Sequence, residues 1–120
     1  MTNLIDLAAR VEGLSGAEWD VACDIVQFLY DERIPIPSYG GPINYDPMTW
    51  QQRHGLDPTA SLDAAMQLVP EGWWPSMMIP RRGNEGIWYA LRNWEAAKVS
   101  AKAATPALAL TAAALRARGL

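Results

Sequence analysis

The residue types that most often carry covalent or metal chemistry are scarce in this chain. It contains one cysteine, Cys23, and one histidine, His54. Nucleophilic catalysis needs a nucleophile, a base and a group that orients the base, so a small hydrolase using His54 would need partners brought to it by the fold. Cys23 falls on the apolar stripe of a predicted helix, where a thiol usually acts as a small, inert hydrophobe. No metal-ligand spacing or phosphate-binding loop occurs. We therefore expect no catalytic residue, no metal site and no cofactor.

Arginine and aromatic side chains form two candidate binding features. Arg81 and Arg82 stand at the tip of a predicted hairpin, where guanidinium groups could hold a phosphate or carboxylate; the alternative is a solvated turn. A long predicted loop contains further candidates for stacking on a flat ligand or contacting a partner: Tyr39, Tyr45, Trp50, Arg53 and His54. Flat aromatic rings and arginine are typical of such surfaces. The alternative for this loop is a lid over an open end of the core.

Four helices and the loop must position these side chains. Apolar residues recur at helical spacing over about 3–14, 16–31, 61–69 and 105–118. Ser15 and Glu18 have the spacing of a capping box, and Ser61 and Thr105 are predicted N-caps. The first two ranges are either two helices or one bent helix. From 31 to 58 no helix-length pattern survives the prolines and glycines, which predicts a long loop.

Two extended runs, "WWPSMMIP" and "GIWYALRNW", predict a β-hairpin over about 73–95. Alternation places Trp73 and Trp74 on opposite faces, and both faces of the hairpin are apolar. A sheet with one face in water would alternate apolar with polar residues. We therefore expect each tryptophan to pack under a different helix. The predicted fold is a single α+β domain over 1–120, a three-layer α-β-α sandwich whose small antiparallel sheet is covered by helices on both faces.

Composition excludes several classes of protein. The net charge is −3, which argues against a nucleic-acid binder because such proteins need a concentrated basic surface for the phosphates. We expect no duplex nucleic acid as a partner. A single cysteine excludes an internal disulfide and favours a reducing cytoplasm. The longest uncharged apolar run, 103–115, is too short to span a bilayer. We expect a cytoplasmic protein that has no membrane partner.

Three blocks of the sequence together resemble the phage ABA sandwich domain family, which occurs in phage and prophage-bearing bacterial genomes. The blocks are "LIDLAARVEGLSG", "SLDAAMQLVPEGWW" and "AATPALALTAAALRAR". The resemblance implies an α-β-α sandwich and a location in the cytoplasm of a bacterial host. It implies no catalytic residue, because its motifs are packing and capping positions: Ser61, Pro70, Gly72, Thr105 and Pro106.

The leading functional hypothesis is a non-enzymatic phage or prophage accessory binding protein. It would act through the 31–58 loop and the hairpin tip on a small anionic or nucleotide-type ligand or on a host protein. An anti-defence role would then consist of sequestering a nucleotide-type immune signal or blocking a host effector. The alternative is a structural or assembly accessory protein of a phage that forms a homo-oligomer, and the third hypothesis is the hydrolase using His54.

Overall fold

Four helices and three strands make up the part of the chain described by this computed structural model, residues 3–32, 57–78, 86–95 and 97–119. The helices are α1 (Leu4–Glu12), α2 (Trp19–Asp31), α3 (Leu62–Gln67) and α4 (Pro106–Arg118). The strands are β1 (Trp73–Met78), β2 (Ile87–Asn93) and β3 (Lys98–Ala103). A helix therefore lies within each of the four ranges that the sequence predicts as helical. The longest of these helices have 13 residues, and no described helix is long and apolar enough to cross a bilayer.

Side-chain caps begin two of the predicted helices. The Ser61 hydroxyl accepts a hydrogen bond from Ala64 N–H at 3.2 Å, and the Thr105 hydroxyl accepts one from Leu108 N–H at 3.2 Å. Each bond satisfies one of the N–H groups that a first helical turn leaves without a partner. Both predicted N-caps are confirmed.

The start of α2 differs from the prediction that Ser15 caps it. The helix begins at Trp19, and Glu18 is its N-cap residue without a side-chain capping bond. Instead the buried hydroxyl of Thr59, from the segment before α3, accepts a hydrogen bond from Glu18 N–H at 2.9 Å. Asp57 Oδ1 lies 2.6 Å from the same hydroxyl and accepts its proton. A hydrogen bond from a distant segment takes the place of the predicted capping box. Local sequence patterns do not predict such a bond, because its two residues are 41 positions apart.

The three strands form one antiparallel sheet in the order β1-β2-β3. The predicted hairpin is confirmed as β1 and β2, with Trp74 opposite Arg92 and Ser76 opposite Ala90. The strand β3 was not predicted from the sequence. It pairs with β2 so that Lys98 lies opposite Arg92. Its sequence, KVSAKA, alternates polar with apolar residues, the pattern of a strand that has one face in water.

The helix α4 lies at the centre of the core. Ten of its 13 residues are buried, so it has no polar face; the stripe of Leu108, Ala112 and Leu115 accounts for only part of this burial. It packs against β2 and β3 on one side and against α1 and α3 on others. Its single polar core residue, Thr111, donates a hydrogen bond to the Pro58 carbonyl at 2.9 Å, which satisfies the buried hydroxyl.

One face of the sheet contributes to this core. Its members are Trp73, Ile87, Tyr89, Leu91, Val99, Ala101 and Ala103. These positions share a face because partners in the register and residues two apart in a strand point the same way. The α+β class and the small antiparallel sheet are confirmed.

The opposite face of the sheet corrects the prediction that each adjacent tryptophan packs under a helix. Trp73 packs on the core, but Trp74 is 42% exposed, Trp88 is 36% exposed and Trp94 is 87% exposed. The helical cover expected on this second face is not found among the described residues. The prediction counted the tryptophans of this face as core residues and gave too little weight to the charged residues between them. On α3, the apolar side chains of Leu62 and Met66 are likewise exposed, at 40% and 42%.

Candidate ligand-binding face of the sheet

All seven binding residues predicted from the sequence lie outside the described residues. They are Tyr39, Tyr45, Trp50, Arg53, His54, Arg81 and Arg82. The same holds for most of the 31–58 loop and for the hairpin tip. The binding features predicted there therefore stay predictions.

Cys23 lies on α2 but is not one of the buried residues of that helix, although the sequence placed it on the apolar stripe. It is half-buried. Burial, followed by the nearby carboxylates of Asp20, Asp24 and Asp57, raises the pKa of the thiol. A raised pKa leaves little thiolate, the form that attacks substrates or binds metals.

A pair of tryptophan rings marks the most distinctive site on the exposed face of the sheet. The ring centroids of Trp74 and Trp94 are 5.0 Å apart, and the ring planes are inclined at 60°. Trp74 projects from β1. Trp94 follows β2 in a turn where the Asn93 carboxamide oxygen accepts hydrogen bonds from the backbone N–H groups of Glu95 and Ala97, both at 3.0 Å. The turn therefore holds Trp94 next to Trp74 although both rings reach solvent.

Two cations stand beside these rings. Arg92 lies opposite Trp74 in the β1–β2 register and opposite Lys98 in the β2–β3 register. Like charges directly opposite each other in a sheet repel, so this arrangement costs stability by itself. Neither side chain forms an ion pair within the part of the chain that the structure describes. An anion between Arg92 and Lys98 would relieve the repulsion and accept charge-assisted hydrogen bonds from both.

These side chains border an open groove of about 400 Å³. Its lining consists of Trp74, Arg92, Asn93, Trp94 and Lys98. Aromatic rings offer a stacking surface for a planar group, and the two cations offer partners for a phosphate or carboxylate attached to it. The groove therefore has the chemistry to hold a planar anionic molecule by two different kinds of contact.

The cationic character continues along the sheet. The three strands contain Arg92, Lys98 and Lys102 and no Asp or Glu, so their formal charge is +3 although the whole chain has −3. Lys102 lies opposite Trp88 and repeats the pairing of a ring with a cation. The net charge of the whole chain does not reveal this positive region, because acidic residues elsewhere in the chain outweigh it.

A second groove, of about 370 Å³, opens on the helical side of the molecule. The described residues that line it include no charged side chain: Ala17, Thr59, Ala60, Leu62, Thr105, Pro106 and Ala107. The hydroxyls of Thr59 and Thr105 are already engaged in capping contacts. This groove offers mainly apolar contact and little that would select a ligand.

The described residues include no group of three or more His, Cys, Asp or Glu side chains arranged to hold a metal ion. In comparisons with known proteins, no family model, no curated protein and no solved structure matches the chain. The resemblance to the phage ABA sandwich family therefore stays a prediction.

The sequence contained a signal for this site that the prediction overlooked. Arg92 belongs to the same period-two series as Trp88 and Trp94, and Lys98 and Lys102 alternate with the apolar residues of β3. A search for basic residues interleaved with aromatic residues on one face would have found it. The proximity of Trp74 to Trp94 needs the strand register, which the sequence alone does not supply.

Proposed function

We propose that this protein is a non-enzymatic binding protein that holds a planar anionic ligand of nucleotide type on the exposed face of its sheet. The observation that carries the proposal is the groove where the Trp74–Trp94 pair stands beside Arg92 and Lys98. A base would stack on a tryptophan ring, and a phosphate would lie between the two cations. This moves the predicted site from the 31–58 loop and hairpin tip to the sheet, and keeps the predicted class of ligand.

Burial energetics favour a binding role for these rings. A tryptophan side chain presents a large apolar surface that is stabilising when it is removed from water. Trp94 is 87% exposed, so it gains little of this stabilisation in the protein alone. A ligand stacked on it would provide the missing contact. A bound anion would likewise relieve the repulsion between Arg92 and Lys98.

The biological setting in the proposal is a phage or prophage accessory protein with an anti-defence role. Sequestering a nucleotide-type immune signal is the form that fits this groove best. The resemblance of the three sequence blocks to a phage family supports the setting, and the groove chemistry supports the class of ligand.

Isothermal titration calorimetry with a panel of mononucleotides, cyclic nucleotides and ADP-ribose tests the proposal. We expect binding by at least one nucleotide, and loss of that binding in the double variant Arg92→Ala/Lys98→Ala. The matched control is Arg10→Ala. It removes an exposed cation of α1 that is ion-paired with Asp24 and is not among the residues that line the groove. Absence of binding across the panel, or equal loss in both variants, would overturn the proposal.

The competing prediction is a homo-oligomer formed through a sheet edge and the apolar 31–58 loop, of which the described residues include the sheet edges. At the β3 edge, Lys102 N–H donates to a Glu12 carboxylate oxygen at 3.1 Å, and the Ser100 carbonyl accepts from Arg116 at 3.0 Å. At the β1 edge, the register directs the backbone of Pro75 outwards, and proline has no N–H to offer a second strand. Both edges are therefore poor templates for strand pairing. Light scattering at high concentration checks this point, and we expect a monomer.

A further inference from the structure

The exposed face of the sheet contains a second ring–cation pair beyond the groove. Trp88 on β2 lies directly opposite Lys102 on β3. Trp88 is 36% exposed, and the Lys102 side chain makes no ion pair within the described residues. A mononucleotide in the Trp74–Trp94 groove leaves this second pair unused.

The two pairs are arranged as two rows that cross the strands. One row contains Trp74, Arg92 and Lys98, and the other contains Trp88 and Lys102. Arg92 is four positions from Trp88 along β2, which corresponds to roughly 13 Å at the usual rise of a strand. That separation is too long for one base and its phosphate but suits a short oligonucleotide.

The row between them has only small side chains. Ser76, Ala90 and Ser100 are aligned across the three strands. Ala90, at the centre of this row, is 3% exposed, so a strand that joins the two rings passes over the side chains around Ala90 and does not contact Ala90 itself.

The charge of the strands favours a polyanion on this face, although the exposed Glu95 directly follows Trp94. The strands have three cations and no acid, whereas residues 3–32, which contain α1 and α2, have seven Asp or Glu and one Arg. A flexible polyanion would be attracted to the sheet and repelled by the surface of α1 and α2.

We propose that the ligand of the exposed face is single-stranded nucleic acid, with one base stacked in the Trp74–Trp94 groove and another on Trp88. The inference rests on the proposed function, since it extends the same site. Phosphates between the stacked bases contact Lys98, Arg92 and Lys102. A duplex is excluded from this mode because its bases are stacked on one another and do not present a ring face to a tryptophan.

Fluorescence anisotropy with labelled single strands of increasing length tests the inference on the full chain. The probes are oligothymidylates of two, four, eight and twelve nucleotides, and mononucleotide binding is measured in parallel by calorimetry. We expect affinity to rise by about tenfold or more once the strand is long enough to reach the second ring. Affinity should fall with salt at a logarithmic slope of about −2, the value for three phosphates on a single strand. A duplex of the longest length should bind more weakly than either of its strands.

Two variants separate the second pair from the first. Trp88→Ala should weaken the twelve-nucleotide strand by about tenfold and leave mononucleotide binding unchanged, and Lys102→Ala should reduce the salt slope by about 0.7. The matched control is Trp19→Ala, which removes a comparably exposed tryptophan (39%) from the start of α2.

The outcomes distinguish this inference from the proposed function. Mononucleotide binding without any gain from length overturns the single-strand inference and leaves the proposed function intact. Equal weakening by Trp88→Ala and Trp19→Ala also overturns it. Binding of heparin as tightly as of the longest strand would reassign the face to polyanions in general. Absence of binding to every nucleotide and strand overturns both proposals.

Discussion

The two faces of the β2 strand have opposite relations to water, although both are rich in apolar residues. Tyr89 and Leu91 are 7% and 0% exposed and pack on the central helix α4. On the other face, Trp88 is 36% exposed and Arg92, four positions further along β2, is also exposed, whereas the small Ala90 between them is 3% exposed. The comparison shows that apolar character alone does not predict burial in a small sheet. The two faces differ in the residues that lie opposite on β3. Tyr89 and Leu91 lie opposite the apolar Ala101 and Val99, whereas Trp88 lies opposite Lys102.

Substitutions at two neighbouring positions, one on each face, should change the free energy of unfolding by very different amounts. Leu91→Ala should lower the free energy of unfolding by about 2–5 kcal/mol, because it leaves a cavity in the core. Arg92→Ala, the next residue, should change it by less than about 0.5 kcal/mol, because its side chain is exposed. Urea denaturation of both variants checks the difference. Similar losses would mean that the second face is as tightly packed as the first.

An intermediate effect is expected at the polar contact inside the core. Thr111→Val keeps the shape of the side chain but leaves the buried Pro58 carbonyl without its donor, which should cost about 1–3 kcal/mol. Thr111→Ser retains the hydroxyl and should lose less. Equal unfolding free energies for the wild type and the valine variant would show that this bond contributes nothing.

A smaller effect is expected on the pH dependence of stability, through Tyr89 on the covered face of the sheet. Burial raises the pKa of the Tyr89 phenol, so the folded protein holds its proton at pH values where the unfolded chain, whose tyrosines titrate near pH 10, has lost it. The stability that depends on this group is complete below about pH 10 and is lost as the pH rises further. We expect Tyr89→Phe to flatten the fall in stability above about pH 10, measured by urea unfolding at each pH. An unchanged slope would contradict the burial of this hydroxyl.

The smallest effect on stability is expected at the exposed ring pair. Trp94→Ala should change the unfolding free energy by less than about 0.5 kcal/mol. The same variant should remove the exciton couplet that two rings 5.0 Å apart produce in far-ultraviolet circular dichroism. Trp74→Ala should remove the couplet too, whereas Trp19→Ala should leave it in place. A couplet that survives in Trp94→Ala would show that the two rings do not pair in solution.

Local signals in the sequence predicted much of the fold. The caps at Ser61 and Thr105 depend on residues three positions apart, so they are visible without tertiary structure. The start of α2 was missed because the hydroxyl that binds Glu18 belongs to Thr59, 41 positions away. The strand β3 was missed although its alternation of lysine and serine with apolar residues is a local pattern.

The candidate site on the sheet was predicted less well than the fold, for a physical reason. Trp74 and Trp94 are distant in sequence, and only the antiparallel register of β1 and β2, with the turn at Asn93, brings their rings together. Side-chain alternation correctly separated Trp73 from Trp74, but it does not reveal which face the helices cover. That choice is made by α4, whose apolar surface has to be surrounded and which packs on the face with Tyr89 and Leu91.

A nuclear magnetic resonance titration of the labelled protein with a single-stranded oligothymidylate of eight nucleotides shows whether the exposed face of the sheet is the binding surface. The indole N–H signals of Trp74, Trp88 and Trp94 report on the exposed face, while those of Trp19 and Trp73 report on α2 and the covered face. We predict that the first three signals shift in proportion to the ligand added and that the other two stay in place. Shifts confined to Trp19 or Trp73, or no shift in any indole signal, would contradict the assignment of this face as the binding surface.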